Sequence, residues 1–104
     1  MAVVEAQIIP IGTENTSLSK YVADCVTVLK NYPQLKYQLT PMGTVIEGDL
    51  NEILDVVKEM HQVPFDKGAA RVVTTIRVDD RRDKELTMNG KVDAVNSKLD
   101  KDSL

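Results

Sequence analysis

Eleven residues of this 104-residue chain carry groups that could hold a small molecule, and the densest cluster of them lies in Thr40 to Asp49, TPMGTVIEGD. Pro41 pre-sets a turn, and Gly43 supplies either a positive φ or a close backbone approach. Alternation from Thr44 to Glu47 puts Thr44 and Ile46 on one strand face and Val45 and Glu47 on the other. A carboxylate beside a valine on one face is either solvated or recruited to bind. Glu47 can receive a ring nitrogen or an amine, with Thr40, Met42, Gly43 and Thr44 lining the same mouth, or these residues build only a turn. Thr16 and Ser17 either cap the following helix or donate to a ligand at its N-terminus. Tyr21, Tyr37, Asp79 and Asp80 complete the acidic and aromatic set.

Other reactive types read as structural. Cys25 falls on the core stripe of a helix with no base nearby in sequence, so it is a small buried hydrophobe. His61 sits near the polar edge of the second helix with no visible partner. Asp79 to Lys84, DDRRDK, holds three acids and three bases, which favours internal or intersubunit ion pairs over a metal or phosphate site. No nucleophile elbow, glycine-rich phosphate loop or metal-ligand spacing occurs, so nothing positive points to an enzyme.

The elements that must position these residues follow from periodicity. Val3 to Ile11 is a strand with Val4, Ala6 and Ile8 inward, and Pro10 suits its end or an edge. A helix follows with Leu18, Tyr21, Val22, Cys25, Val28 and Leu29 as its stripe, stopped by Asn31 and Pro33. Leu35 to Thr40 and Thr44 to Glu47 form a hairpin, with Leu35, Tyr37 and Leu39 on one face of the first strand. Asp49 and Glu52 have capping-box spacing for a second helix whose stripe is Leu50, Ile53, Leu54, Val57 and Met60. Pro64 kinks or ends it, and Gly68 is its stop. Arg71 to Val78 is the fourth strand, and a third helix is expected over about 87–99, weakened at Asn89-Gly90, with a frayed tail at 100–104.

The order β-α-β-β-α-β, with a trailing helix, predicts a single α+β domain of ferredoxin-like type. Its antiparallel sheet has four strands, with helices on one face. The opposite face would carry Val3, Ile9, Ile11, Val45, Val73 and Thr75, too apolar to stay in water, so self-association is expected. A net charge of −3 and pI near 5.1 argue against general nucleic-acid or anionic-membrane binding. A single cysteine, no spanning apolar run and no basic n-region make a cytoplasmic protein the expectation.

SLSKYV at 17–22, TPMGTVIEGD at 40–49 and RVVTTIRVDDRRD at 71–83 together resemble the thiamine-binding protein family of small ferredoxin-like proteins. The similarity runs from Val3 to about Leu99, with Asn89-Gly90 as a departure. It implies non-catalytic binding of thiamine or its hydroxymethylpyrimidine part by a homodimer or homotetramer, with no cofactor and no metal. An aminopyrimidine can pair with a carboxylate and backbone groups, and a thiazolium favours acidic or aromatic neighbours. Two rival readings are a small enzyme acting on such a heterocycle, with Glu47 as base, and a structural or regulatory oligomer without a ligand.

Overall fold

A computed structural model describes the backbone of residues 1–102 and the side chains of residues 1–99. Its elements are β1 (Ala2–Ile11), α1 (Ser19–Val28, continued by a 3-10 turn at Leu29–Asn31), β2 (Lys36–Thr40), β3 (Gly43–Gly48), α2 (Leu50–Asp66), β4 (Arg71–Asp80) and α3 (Met88–Asp102). The strands form one antiparallel sheet in the order β2-β3-β1-β4. This is the ferredoxin-like α+β fold with an added C-terminal helix. α3 runs three residues beyond the expected 87–99, through part of the tail expected to fray; Ser103 and Leu104 lie outside the described residues.

The core forms where the even residues of β1 meet the stripes of α1 and α2. Val4, Ala6, Ile8 and Ile46 from the sheet pack against Cys25, Leu29, Ile53, Val56, Val57 and Met60. On α2 the buried stripe is Ile53, Val56, Val57 and Met60; Val56 takes the place expected for Leu54, which is exposed. Counted from Leu50 the i, i+3, i+4, i+7 stripe takes in Leu54, and counted from Ile53 it takes in Val56; the sheet packs on the second of these. On β2 only Leu35, just before the strand, is buried; Tyr37 and Leu39 share its face but stay exposed on the outermost strand of the sheet.

Caps and stops explain the helix limits. The Asp49 side chain accepts from Glu52 N at 3.2 Å, as a capping residue should. Neither Thr16 nor Ser17 caps α1: Leu18 holds the N-cap position without a side-chain bond, while the Ser17 hydroxyl lies 3.3 Å from Ser19 Oγ and Ser17 N donates to Asn15 Oδ1 (3.0 Å) in the preceding loop. Gly68, at φ +99°, closes α2 with a Schellman pair, Gly68 N to Phe65 O (3.0 Å) and Ala69 N to Pro64 O (2.9 Å). Pro64 does not end the helix but lies buried within its last turn.

Pro64 has no N–H for the carbonyl of Met60, four residues earlier. The Cys25 thiol fills that vacancy by donating to Met60 O at 3.4 Å. Burial, and secondarily the charge of Asp24, pushes its pKa up to about 11. Cys25 is thus a protonated core donor that joins α1 to α2, not a nucleophile.

Candidate functional site

The register of the sheet creates a notch. β3 pairs with β1 only from Ala2 to Ala6, whereas β1 runs on to Ile11 against β4. Beyond the tip of the β2–β3 hairpin, the side of β1 vacated by β3 is therefore open, and Pro10 falls in this singly paired stretch. α1 roofs the notch and leaves a cavity of about 240 Å³. Ala6, Ile8, Leu18, Val22, Cys25 and Met60 form its apolar body, and Leu39 to Thr44 form its rim.

The hairpin tip is held in shape by its own side chains. Thr40 Oγ1 donates to Gly43 O at 2.9 Å and accepts from Met42 N at 3.3 Å, while Gln7 Nε2 reaches across to Met42 O at 3.0 Å. Gly43 is needed for close approach, not for a positive φ: a Cβ there would stand 3.0 Å from Ala6 O. Thr44 points into the cavity, 4% exposed, and no hydrogen bond engages its hydroxyl among the described residues. The cavity thus offers one free hydroxyl, backbone carbonyls and apolar walls. It contains no carboxylate or imidazole.

Glu47 lies elsewhere. It is on the opposite face of β3 from Thr44, three residues on, which is roughly 10 Å along a strand. Only 5% exposed, its Oε1 accepts from Met88 N at 2.7 Å. Met88 is the first residue of α3, so this carboxylate binds an otherwise unpaired donor where the helix dipole is positive. Thr87 assists, its Oγ1 accepting from Gly90 N at 3.0 Å. Gly90 fits because a Cβ there would stand 2.8 Å from that hydroxyl.

Of the residues singled out in the sequence, Thr40, Met42, Gly43 and Thr44 come together around the cavity. The others do not join them. Thr16 and Ser17 lie in the loop before α1, and Tyr21 lines a shallow groove with Lys20, Asp24 and Lys67. Tyr37 is exposed on β2, and Asp80 pairs with Arg82 at 3.0 Å beside the chain's first residues. The mixed charges after β4 pair locally: Arg81 holds Asp83 at 2.5 Å and keeps its carboxyl below the usual range, and Lys91 of α3 meets Asp79. His61 Nδ1 lies 2.6 Å from Thr74 Oγ1, which ties α2 to β4. Among the described residues no group of three or more His, Cys, Asp or Glu is placed to hold a metal, and no helix is long and apolar enough to cross a membrane.

Sequence reasoning assigned Leu18, Val22 and Cys25 to the core, and Met60 to the buried stripe; the same side chains also wall the cavity. Gln7, which strand alternation places on the face opposite Ala6 and Ile8, anchors the hairpin tip. Nothing in helical spacing separates a residue that fills a core from one that borders a gap in it.

Comparison with known proteins agrees with this architecture. A family model described as thiamine-binding protein matches residues 4–96. The UPF0045 protein YqgV of Bacillus subtilis is 50% identical over 102 residues, covering 95% of this chain and 98% of that protein. A UPF0045 protein of Staphylococcus xylosus is 53% identical over 102 residues, covering 95% of each chain. The crystal structure of the hypothetical protein MJ1052 from Methanocaldococcus jannaschii superposes with a TM-score of 0.84 at 43% identity, over 91% of this chain and 95% of that one. A Thermotoga maritima structure, described as a candidate thiamine biosynthesis/salvage protein, has a TM-score of 0.73 at 24% identity over 90% of this chain and 97% of that one, a likeness of fold alone. By family match and by relatives of this identity and coverage, the chain belongs to the thiamine-binding protein family.

Proposed function

We propose that this protein binds the hydroxymethylpyrimidine part of thiamine, free or within thiamine, without transforming it, and does so as a homo-oligomer. The observation that carries this reading is the cavity beneath the hairpin tip. Its volume of about 240 Å³ lies below the roughly 300 Å³ at which pockets for drug-sized ligands begin, so it suits one substituted ring. Its lining has no charged side chain, and Cys25 stays protonated there. A neutral aminopyrimidine fits such walls, with the Thr44 hydroxyl and the carbonyls of the rim as partners for its amine and ring nitrogens. The thiazolium of thiamine carries a fixed charge and would remain outside, in the mouth beside Pro41 and Met42.

Self-association is supported by apolar surface. On the sheet face away from α1 and α2, Ile11 and Val73 are exposed, and Val92, Val95 and Leu99 of α3 are each more than half exposed. The molecule is elongated, 51 × 31 × 19 Å, because α3 touches the body chiefly through β3.

Titration calorimetry with the free pyrimidine, thiamine and thiamine phosphates tests the ligand reading. The pyrimidine is expected to bind at least as tightly as thiamine, and Thr44→Val to weaken both about two- to tenfold, the worth of one neutral hydrogen bond. No binding by any of them at millimolar concentration refutes the ligand, and turnover of a bound one refutes the non-catalytic role. Light scattering that finds an 11.5 kDa species refutes the oligomer.

A further inference from the structure

β4 closes one side of the sheet. It pairs with β1 along its whole length, from Ile11–Arg71 to Ala2–Asp80, and on its other side no strand pairs with it among the described residues. Edge strands are usually blunted by shortness, by charged side chains (lysine above all), by proline or by a bulge. β4 has ten residues, no proline and an unbroken register with β1, and its charges, Arg71 at one end and Arg77, Asp79 and Asp80 toward the other, leave Val72 to Ile76 uncharged. It presents a long row of unpaired backbone donors and acceptors.

Its cover is also uneven. On the face of α1 and α2, Val72 packs against the core and Thr74 meets His61, whereas Ile76 and Val78 are 39% and 47% exposed. One half of the strand is roofed and the other half is bare. An antiparallel copy would lay the roofed half of each strand beside the bare half of the other.

We propose that β4 pairs antiparallel with β4 of a second copy about a two-fold axis through Thr75, fusing two sheets into one. Paired residues must share a face, which restricts the central registers to a few. With Thr75 on the axis, Val72 stands opposite the partner's Val78, Thr74 opposite the partner's Ile76, and Arg71 opposite the partner's Asp79. Each match occurs twice by symmetry. Arg71 has no ion-pair partner among the described residues, and Asp79 meets only Lys91, so each has capacity for the other. Centring on Thr74 would instead set Arg71 against the partner's Arg77, and centring on Ile76 would set Val72 against the partner's Asp80. Charge and apolar matching both select Thr75. The pairing rests on the homo-oligomer reading above and names one of its interfaces.

Cysteine trapping combined with charge exchange tests it. In Thr75→Cys the two thiols would sit on the axis, on Cα atoms about 4.5 or 5.5 Å apart, within the span of a disulfide. In Val73→Cys the equivalent atoms would be roughly 13 Å apart, four residue steps along the strands. Mild oxidation should therefore link Thr75→Cys into a dimer and leave Val73→Cys unlinked. Arg71→Asp and Asp79→Arg should each weaken the dimer about tenfold, since two attractive cross-strand pairs become repulsive. An equimolar mixture of the two should associate again, because both pairs in the mixed dimer are opposite in sign. Circular dichroism on each variant confirms the fold, and if either cysteine variant misfolds the mixing experiment still decides. Equal linking of both cysteines, or failure of the mixture to associate, overturns this pairing. Where the protein remains a dimer by light scattering, only this interface falls; a monomeric wild-type protein overturns the oligomer reading as well.

Discussion

Replacing Glu47 separates its two conceivable duties, because the structure places it on α3 and away from the cavity. The bond from Met88 N to Glu47 Oε1, at 2.7 Å, is charge-assisted and buried, a class worth about 1.5–3 kcal/mol. Among the described residues little else holds α3. Its apolar residues Val92, Val95 and Leu99 are largely exposed, and the Lys91–Asp79 pair is open to solvent, where such pairs contribute about 0–1 kcal/mol. Fifteen residues is also near the length at which an isolated helix is only marginally stable in water. Glu47→Ala should therefore raise the opening equilibrium of α3 about ten- to hundredfold. Glu47→Gln keeps an acceptor and loses the charge, roughly half the bond, so its effect should be about fivefold. Hydrogen exchange of residues 88–99 reads this directly, and the core amides of β1 should change far less. Affinity for the pyrimidine should stay within about twofold, since Glu47 points from the opposite face of β3. Unchanged exchange in a folded Glu47→Ala protein would refute the anchoring role. A tenfold loss of ligand affinity with α3 intact would return Glu47 to the site.

The remaining predictions concern the core. The raised pKa of Cys25 means that the native protein holds a proton which the unfolded chain releases above about pH 9. Its contribution is therefore constant below that pH and is lost as pH climbs toward 11, by about 2–3 kcal/mol, so urea midpoints of wild type and Cys25→Ala should converge over that window. A thiol reagent at pH 8 should label Cys25 slowly in the native state and rapidly in urea; fast native labelling would refute the buried-donor role. Gly48→Ala should destabilise by about 1–3 kcal/mol in chemical denaturation, because the backbone there has φ +154° and an added Cβ would lie 2.5 Å from Leu35 Cδ2. An unchanged midpoint would mean that Leu35 can move aside freely.

Strand and helix identities were legible because each has a clear period and punctuation. Val4, Ala6 and Ile8 alternate, Asp49 and Glu52 mark the start of a helix, and Gly68 marks its end. The misplaced details are those set by another element. Leu54 and Val56 are equally apolar, and only the angle at which α2 lies on the sheet decides which one is buried. Ser17 is as good a cap as Asp49 in isolation, but in the fold its hydroxyl lies 3.3 Å from Ser19 Oγ and its amide bonds Asn15 in the preceding loop.

The candidate site divides along the same line. TPMG forms a rim because Thr40, Pro41 and Gly43 are neighbours whose turn is fixed locally, so their convergence could be read from sequence. Glu47 belongs to the same ten residues, yet strand alternation sends it through to the other side of the sheet. Its partner, Met88, is 41 positions away. The valine-and-carboxylate face was read as an open question, solvated or recruiting, and the recruit is the chain's own third helix. Sheet and helix thus share one short motif between two duties. Thr44, inward, can serve a ligand, while Glu47, outward, holds the helix that gives the molecule its length. A substitution at one should leave the work of the other intact. For that reason the Thr44 and Glu47 variants need to be measured side by side, with affinity and α3 exchange both recorded for each.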